Sequence, residues 1–220
     1  MAPGFCLNAG YTLVELAIAM TVSGAVLSGV MAFGAALWSE QRANEFAERM
    51  DTVVSTVESL YRGAATYDSL NLASAIQLGA LRNENMTAST DDADTSEVLH
   101  LYGRRITLGG LAGTGFNGQA WGVHFAGLPA KSCMAIAQYA LALGDIVALA
   151  TDAAAASSFA NWKAITLAGG VVAGFPAAYT VLKSRAIAPV APAALAIACE
   201  SVTGGGTGTF GLALVRTRLL

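Results

Sequence analysis

The sequence predicts an α+β chain. A long N-terminal helix, about residues 11–62, crosses a membrane with its first half and packs on an antiparallel β-sheet head with its second. Three observations carry this reading. Residues 1–38 hold a single charged side chain, Glu15. Apolar residues then recur at steps of three and four as far as Tyr61, the period of one helical face. Beyond residue 98, short apolar or alternating runs are separated by glycine-rich turns, the pattern of paired strands.

Composition sets the bounds. The 220 residues are 55% hydrophobic and 12% charged, about half the charged fraction usual for soluble domains. That balance excludes intrinsic disorder, which needs the opposite one. Lys+Arg number 12 against 15 Asp+Glu, a net charge of −3 without a basic block, so nucleic acid is not an expected partner of the isolated chain. The 24 glycines have no three-residue period, which excludes a collagen-like chain. Three cysteines are too few for a disulfide-built scaffold.

The helix is justified in two halves. From Leu16 to Trp38 run 23 uncharged residues. At about 1.5 Å per residue they reach about 34 Å, enough for a bilayer core of about 30 Å. The run is apolar on every side, unlike the one-faced helices of soluble domains. From Ser39 to Arg62 the apolar positions are Ala43, Phe46, Ala47, Met50, Val53, Val54, Val57, Leu60 and Tyr61, with most charges off that face. No proline interrupts the stretch, and Gly63 marks its end.

Glu15 is the anomaly. A carboxylate within an apolar span costs about 3 kcal/mol near the bilayer centre, so its default reading is functional. It lies in Gly10-Tyr11-Thr12-Leu13-Val14-Glu15-Leu16. At these residues the chain resembles the type IV pilins and the related pseudopilins, whose shared segment is Gly, a hydrophobic residue, Thr-Leu-x-Glu and an apolar helix. The resemblance implies cleavage by the prepilin peptidase between Gly10 and Tyr11, N-methylation of Tyr11, and an assembly role for Glu15. It implies a leader over 1–10, a transmembrane and filament-core half-helix over 11–38, and a pilin-like ladle with its globular head over 39–220. The implied partners are the peptidase, an inner-membrane assembly platform, other copies of the chain, and the lipid bilayer before assembly. The implied location is the bacterial inner membrane, then an extracellular pilus. The leader MAPGFCLNAG departs from the family in carrying no Lys or Arg. Either the initiator amine orients insertion or translation starts upstream of Met1.

The head is read element by element. Asn71–Leu81 is expected as a short helix ending near Gly79, and Met86–Ser96 as a solvated loop. Asp91, Asp92 and Asp94 in that loop lack the glycine and distal glutamate of a calcium-binding EF-hand. Leu99–Leu108 and Gln119–Phe125 are expected strands. The Gly113–Gly118 segment between them matches G-x-G-x-x-G, but a strand-like run comes after it, so it reads as a hairpin loop and not a cofactor site. Pro129 is expected to open a helix over Ala130–Leu143. Residues 145–168 and 175–185 are Ala-rich or mixed and open to either assignment, and Pro176, Pro189 and Pro192 punctuate the chain beyond residue 175. Thr207–Arg216 is expected as a strand inside a sheet.

Cys133 and Cys199 are the only cysteines after the implied leader. In an exported chain an even pair reads as a disulfide, the alternative being two buried free thiols. The pair matches the disulfide that many type IV pilins carry. Its surroundings resemble the type IVb branch, which includes the thin-pilus and toxin-coregulated-pilus pilins. His100 and His124 show no ligand spacing to either cysteine, so no metal is expected, and both are read as surface or strand residues. No cofactor is implied.

By family implication the chain is a structural pilin, not an enzyme, in a pilus used for adhesion, aggregation, motility or mating contact. The alternative within the family is a minor pilin or a pseudopilin of a type II secretion or DNA-uptake machine. A signal-anchored periplasmic enzyme is the reading from another class. The sequence shows no nucleophile elbow, HExxH helix or P-loop for it.

Overall fold

The computed structural model describes residues 12–81, 85–87, 97–111, 115–151, 166–168, 171–173, 179–184, 187–206 and 208–218. The leader with Gly10 and Tyr11, and the Asp91–Asp94 cluster, lie outside the described residues. The chain divides into two compact units, Met1–Ser39 and Glu40–Leu220.

Helix α1 runs Leu13–Leu60. Its second half belongs to the second unit. There Ala43, Phe46, Ala47, Met50, Val53, Val54, Val57 and, just past the helix end, Tyr61 are buried, the face expected from their spacing. Leu60 is the exception, 43% exposed. At 100° per residue it falls just outside the arc that the other positions cover.

The head continues as α2 (Leu72–Gln77), β1 (Asn85–Thr87), β2 (Glu97–Leu99), β3 (Arg105–Leu111), β4 (Ala120–Pro129), α3 (Cys133–Leu143), β5 (Ile146–Thr151), β6 (Thr166–Ala168), β7 (Val171–Ala173), β8 (Tyr179–Lys183), α4 (Pro192–Thr203) and β9 (Thr209–Thr217). Seven strands form one sheet in the order β1-β2-β3-β4-β9-β5-β8. Every pairing in it is antiparallel. Among the described residues, strands β6 and β7 pair only with each other.

Alternation along the central strands divides their side chains between two faces. Trp121, Val123, Phe125, Leu212, Leu214, Val147 and Leu149 join the core that holds α1, α3 and α4. Ala120, Ala148, Ala150, Ala213 and Val215 lie in a second core with Phe116 and Tyr179. Because both faces are covered, β9 is an unbroken apolar run and not an alternating one. The approach of the segment after α1 to the sheet explains one glycine. A Cβ at Gly110 would collide with the Tyr67 carbonyl oxygen, while the Gly110 N–H donates to Leu70 O at 2.9 Å.

Several expectations are corrected. The strand expected over Leu99–Leu108 is two strands, split by a turn at Leu101–Gly103. Gly103 there adopts φ +71°, and the His100 N–H donates to Arg104 O across the turn. Met86 and Thr87 belong to β1, not to a loop, because they pair with Val98 and Glu97. Pro129 is the last residue of β4, opposite Thr209, and the helix begins only at Cys133 after a 3-10 turn over Ala130–Ser132. The open stretches contain β5, β6 and β8. Pro192 starts α4, and Gly204 at φ +62° ends it. The hairpin reading after β3 holds: β3 and β4 are antiparallel neighbours, and Gly115, Asn117 and Gly118 turn between them at positive φ.

Cys133 and Cys199 are disulfide-bonded, with Cα atoms 5.9 Å apart. The bond ties the start of α3 to α4, and its cysteines are 1% and 6% exposed.

Candidate functional site

The first unit presents the chemistry that the head does not. From Leu13 to Trp38, α1 exposes large apolar side chains on every side, among them Leu13, Ile18, Met20, Val30, Met31, Phe33 and Trp38. The helix is long and apolar enough to cross a membrane, and the most apolar part of it has no buried residue. Covering a side chain of this size stabilises by about 1.5–3 kcal/mol. Over the whole stretch that is on the order of tens of kcal/mol, more than the net stability of a typical domain. The surface therefore requires a cover, either lipid or other helices.

Its polar groups are mostly satisfied within the helix. The Thr21 hydroxyl donates to Ala17 O, and the Ser28 hydroxyl donates to Ala25 O at 2.9 Å. Such back-bonding lets a hydroxyl sit in an apolar medium without a partner from outside.

Glu15 sits in the first turn of α1. Its Oε2 accepts the Thr12 N–H at 2.9 Å and the Thr12 hydroxyl at 3.0 Å. In return, the Glu15 N–H donates to Thr12 Oγ1 at 3.3 Å. This is a capping box, in which the residue before the helix and the third residue within it satisfy each other's unpaired backbone donors. Thr12 is thus a site residue that the motif alone does not single out. The signal was present: Thr-x-x-Glu ahead of an apolar run is the box's signature. The box also gives Glu15 a structural task besides any intermolecular one. An acid near a helix N-terminus is further favoured by the helix dipole.

The remaining sequence-predicted residues are dispersed. Cys133 and Cys199 meet each other in the head. His100 and His124 are both buried, at 0% and 1% exposure; His124 is a strand residue of β4, one of the two expected placements, whereas His100 is neither on the surface nor in a strand but directly before the Leu101–Gly103 turn. Among the described residues no group of three or more His, Cys, Asp or Glu is placed to hold a metal ion.

An exposed apolar helix with one carboxylate in its first turn, long enough to cross a membrane, is joined in sequence to a disulfide-bonded antiparallel head. The family model described as PilS N terminal matches residues 40–177. That is more than half of the chain, and the chain belongs to this family of type IV pilins. Among solved structures it is similar to the type IVb pilin of Salmonella typhi, at 14% identity and a TM-score of 0.49 over 78% of this chain and 97% of that one. It is also similar to TcpA, a type IV pilin of Vibrio cholerae El Tor, at 15% identity and a TM-score of 0.49 over 80% of this chain and 99% of that one. No curated protein matches the sequence. Membership makes the chain a pilus subunit that assembles with further pilin copies.

Proposed function

We propose that the chain is a structural, non-enzymatic pilin of the type IVb kind. A prepilin peptidase cuts between Gly10 and Tyr11 and methylates the new amine. An inner-membrane platform then draws the subunit from the bilayer into a pilus used for adhesion, aggregation, motility or mating contact. The observation that carries this reading is the exposed apolar half of α1 with Glu15 in its first turn.

In this reading the amine at Tyr11 is a cation, and Glu15 of one subunit pairs with the amine of a neighbour. Two charges are then removed from an apolar medium together, and the axial register between helices is fixed. The requirement on the rest of the span is that it be nearly as stable among helices as in lipid. Its small residues Gly24, Gly29 and Gly34 support that, since nothing lies within 4 Å of a Cβ built at any of them and helices can approach there.

The test separates the charge from the cap. Glu15→Gln keeps an oxygen for the Thr12 hydrogen bonds and removes the charge, whereas Glu15→Ala removes both. Both variants are expected to accumulate in the membrane at wild-type level and to yield at least tenfold less chain in sheared filaments. Wild-type filament yield from Glu15→Gln would reject the charge pairing and leave Glu15 a capping residue. Mass spectra of sheared wild-type material are expected to begin at N-methylated Tyr11.

A further inference from the structure

The fifth of the seven strands across the sheet, an interior one, is the furthest along the chain among the described elements. β4 and β5 are separated in sequence by little more than α3, yet they do not pair. β9 lies between them and is hydrogen-bonded to both. Phe210, Leu212, Ala213, Leu214 and Val215 each have a partner on either side and are at most 1% exposed. Without β9 the sheet is two pieces, β1 to β4 and β5 with β8, each with an open apolar edge.

A second observation concerns the residues that end this strand. The last turns of α1 and α3 contain no basic residue of their own. Both receive cations from one short segment. Arg216 donates to Leu143 O at 2.8 Å, at the end of α3, and is paired with Glu58 of α1. Arg218 donates to Tyr61 O and Ala64 O, just past the end of α1, and its guanidinium lies 4.4 Å from the centre of the Tyr67 ring. The Thr217 N–H donates to Asp145 at 2.8 Å, and the Arg218 N–H to Gln119 O at 2.9 Å. Residues 209–218 therefore satisfy the carbonyls at two helix ends and the carboxylates of Glu58 and Asp145, besides bridging the half-sheets. The disulfide joins α3 to α4 and leaves β9 outside its loop.

We propose that β9 is a closing strand: the head remains open, as two half-sheets, until residues 209–218 insert between them, and its resistance to proteolysis is gained in that single step. A subunit held in the membrane by α1 then offers a closed head only after this segment has crossed. The closure is a property of the head and does not depend on the role of Glu15.

The test uses the membrane-anchored chain stopped after Gly206. It is expected to be cleaved by a broad-specificity protease at least tenfold faster than the full chain. An excess of a synthetic peptide spanning residues 207–218 is expected to restore resistance, and the same peptide with Arg216→Ala and Arg218→Ala to need at least tenfold more. Resistance of the stopped chain equal to that of the full chain would overturn the proposal, as would a stopped chain that does not aggregate yet ignores the peptide. Should the stopped chain aggregate, hydrogen exchange of the full chain in sub-denaturing urea decides. The amides of Val123, Leu149 and Leu214 are expected to share one opening free energy. Loss of protection at Leu149 at lower urea than at Leu214 would overturn the proposal.

Discussion

At the scale of one residue, His100 shows how the head fixes a proton. Its Nε2 lies 2.7 Å from Ala126 O, and its Nδ1 faces the Tyr102 N–H at 3.2 Å. A carbonyl only accepts and an amide only donates, so the ring carries its proton on Nε2. Phe46, Phe125 and Tyr102 pack around it. Burial pushes its pKa from 6.5 to about 4; the Ala126 carbonyl opposes that shift and nearby Arg104 adds to it. Between those values the unfolded chain binds a proton that the folded one does not. The contribution is fully present above pH 6.5 and is lost as pH falls towards 4. The loss amounts to about 2–3 kcal/mol at pH 4.5. In urea unfolding, His100→Gln is expected to lose that much less stability than wild type between pH 7.5 and 4.5. Equal losses would show that another group titrates.

At the scale of elements, what the sequence made legible was what local pattern controls. The α1 face from Ala43 to Tyr61 follows from its spacing alone, and the β3–β4 hairpin from glycines between apolar runs. β9 was visible as an apolar run after three glycines. β5, IVALAT, was not, because a short apolar run has no period that tells strand from helix, and its state is decided by pairing with a strand some sixty residues on. α4 was hidden differently. Its signals were there, proline in the first turn and a left-handed glycine past the end, but Pro189 and Pro192 together read as loop punctuation. Of the site, Glu15 was conspicuous by its charge, whereas Thr12 looked like part of a motif and not the other half of a hydrogen-bonded pair. The end of α3 is a feature that no sequence window contains. Lys183 of β8 donates to Leu141 O at 2.8 Å and to Gly144 O at 2.7 Å, supplying a cation that the helix lacks. Lys183→Met is expected to destabilise the head by about 2 kcal/mol, the scale of hydrogen bonds from a charged donor. Lys131→Met, at an exposed lysine, is the control and is expected to change stability by less than about 0.5 kcal/mol. Equal effects of the two would remove the capping role.

At the scale of the whole molecule, the two units differ in what completes them. The first is an apolar helix that needs a cover from outside. The second has its own cores on both faces of the sheet and a cross-link between cysteines 66 positions apart. On the chain-entropy account, closing a loop of that length is worth about 4 kcal/mol. Its sulfurs belong to residues 1% and 6% exposed, so a dissolved thiol has almost nothing to attack while the head is closed. Reduction must wait for an opening. As dithiothreitol is raised, the rate of bond loss is expected to climb and then level off, and the plateau is the opening rate itself. A rate still proportional to reductant at the highest concentration would mean that the sulfurs are reached without opening. With the plateau, the cross-link becomes a clock that reads how often a subunit comes apart, in solution or within a fibre.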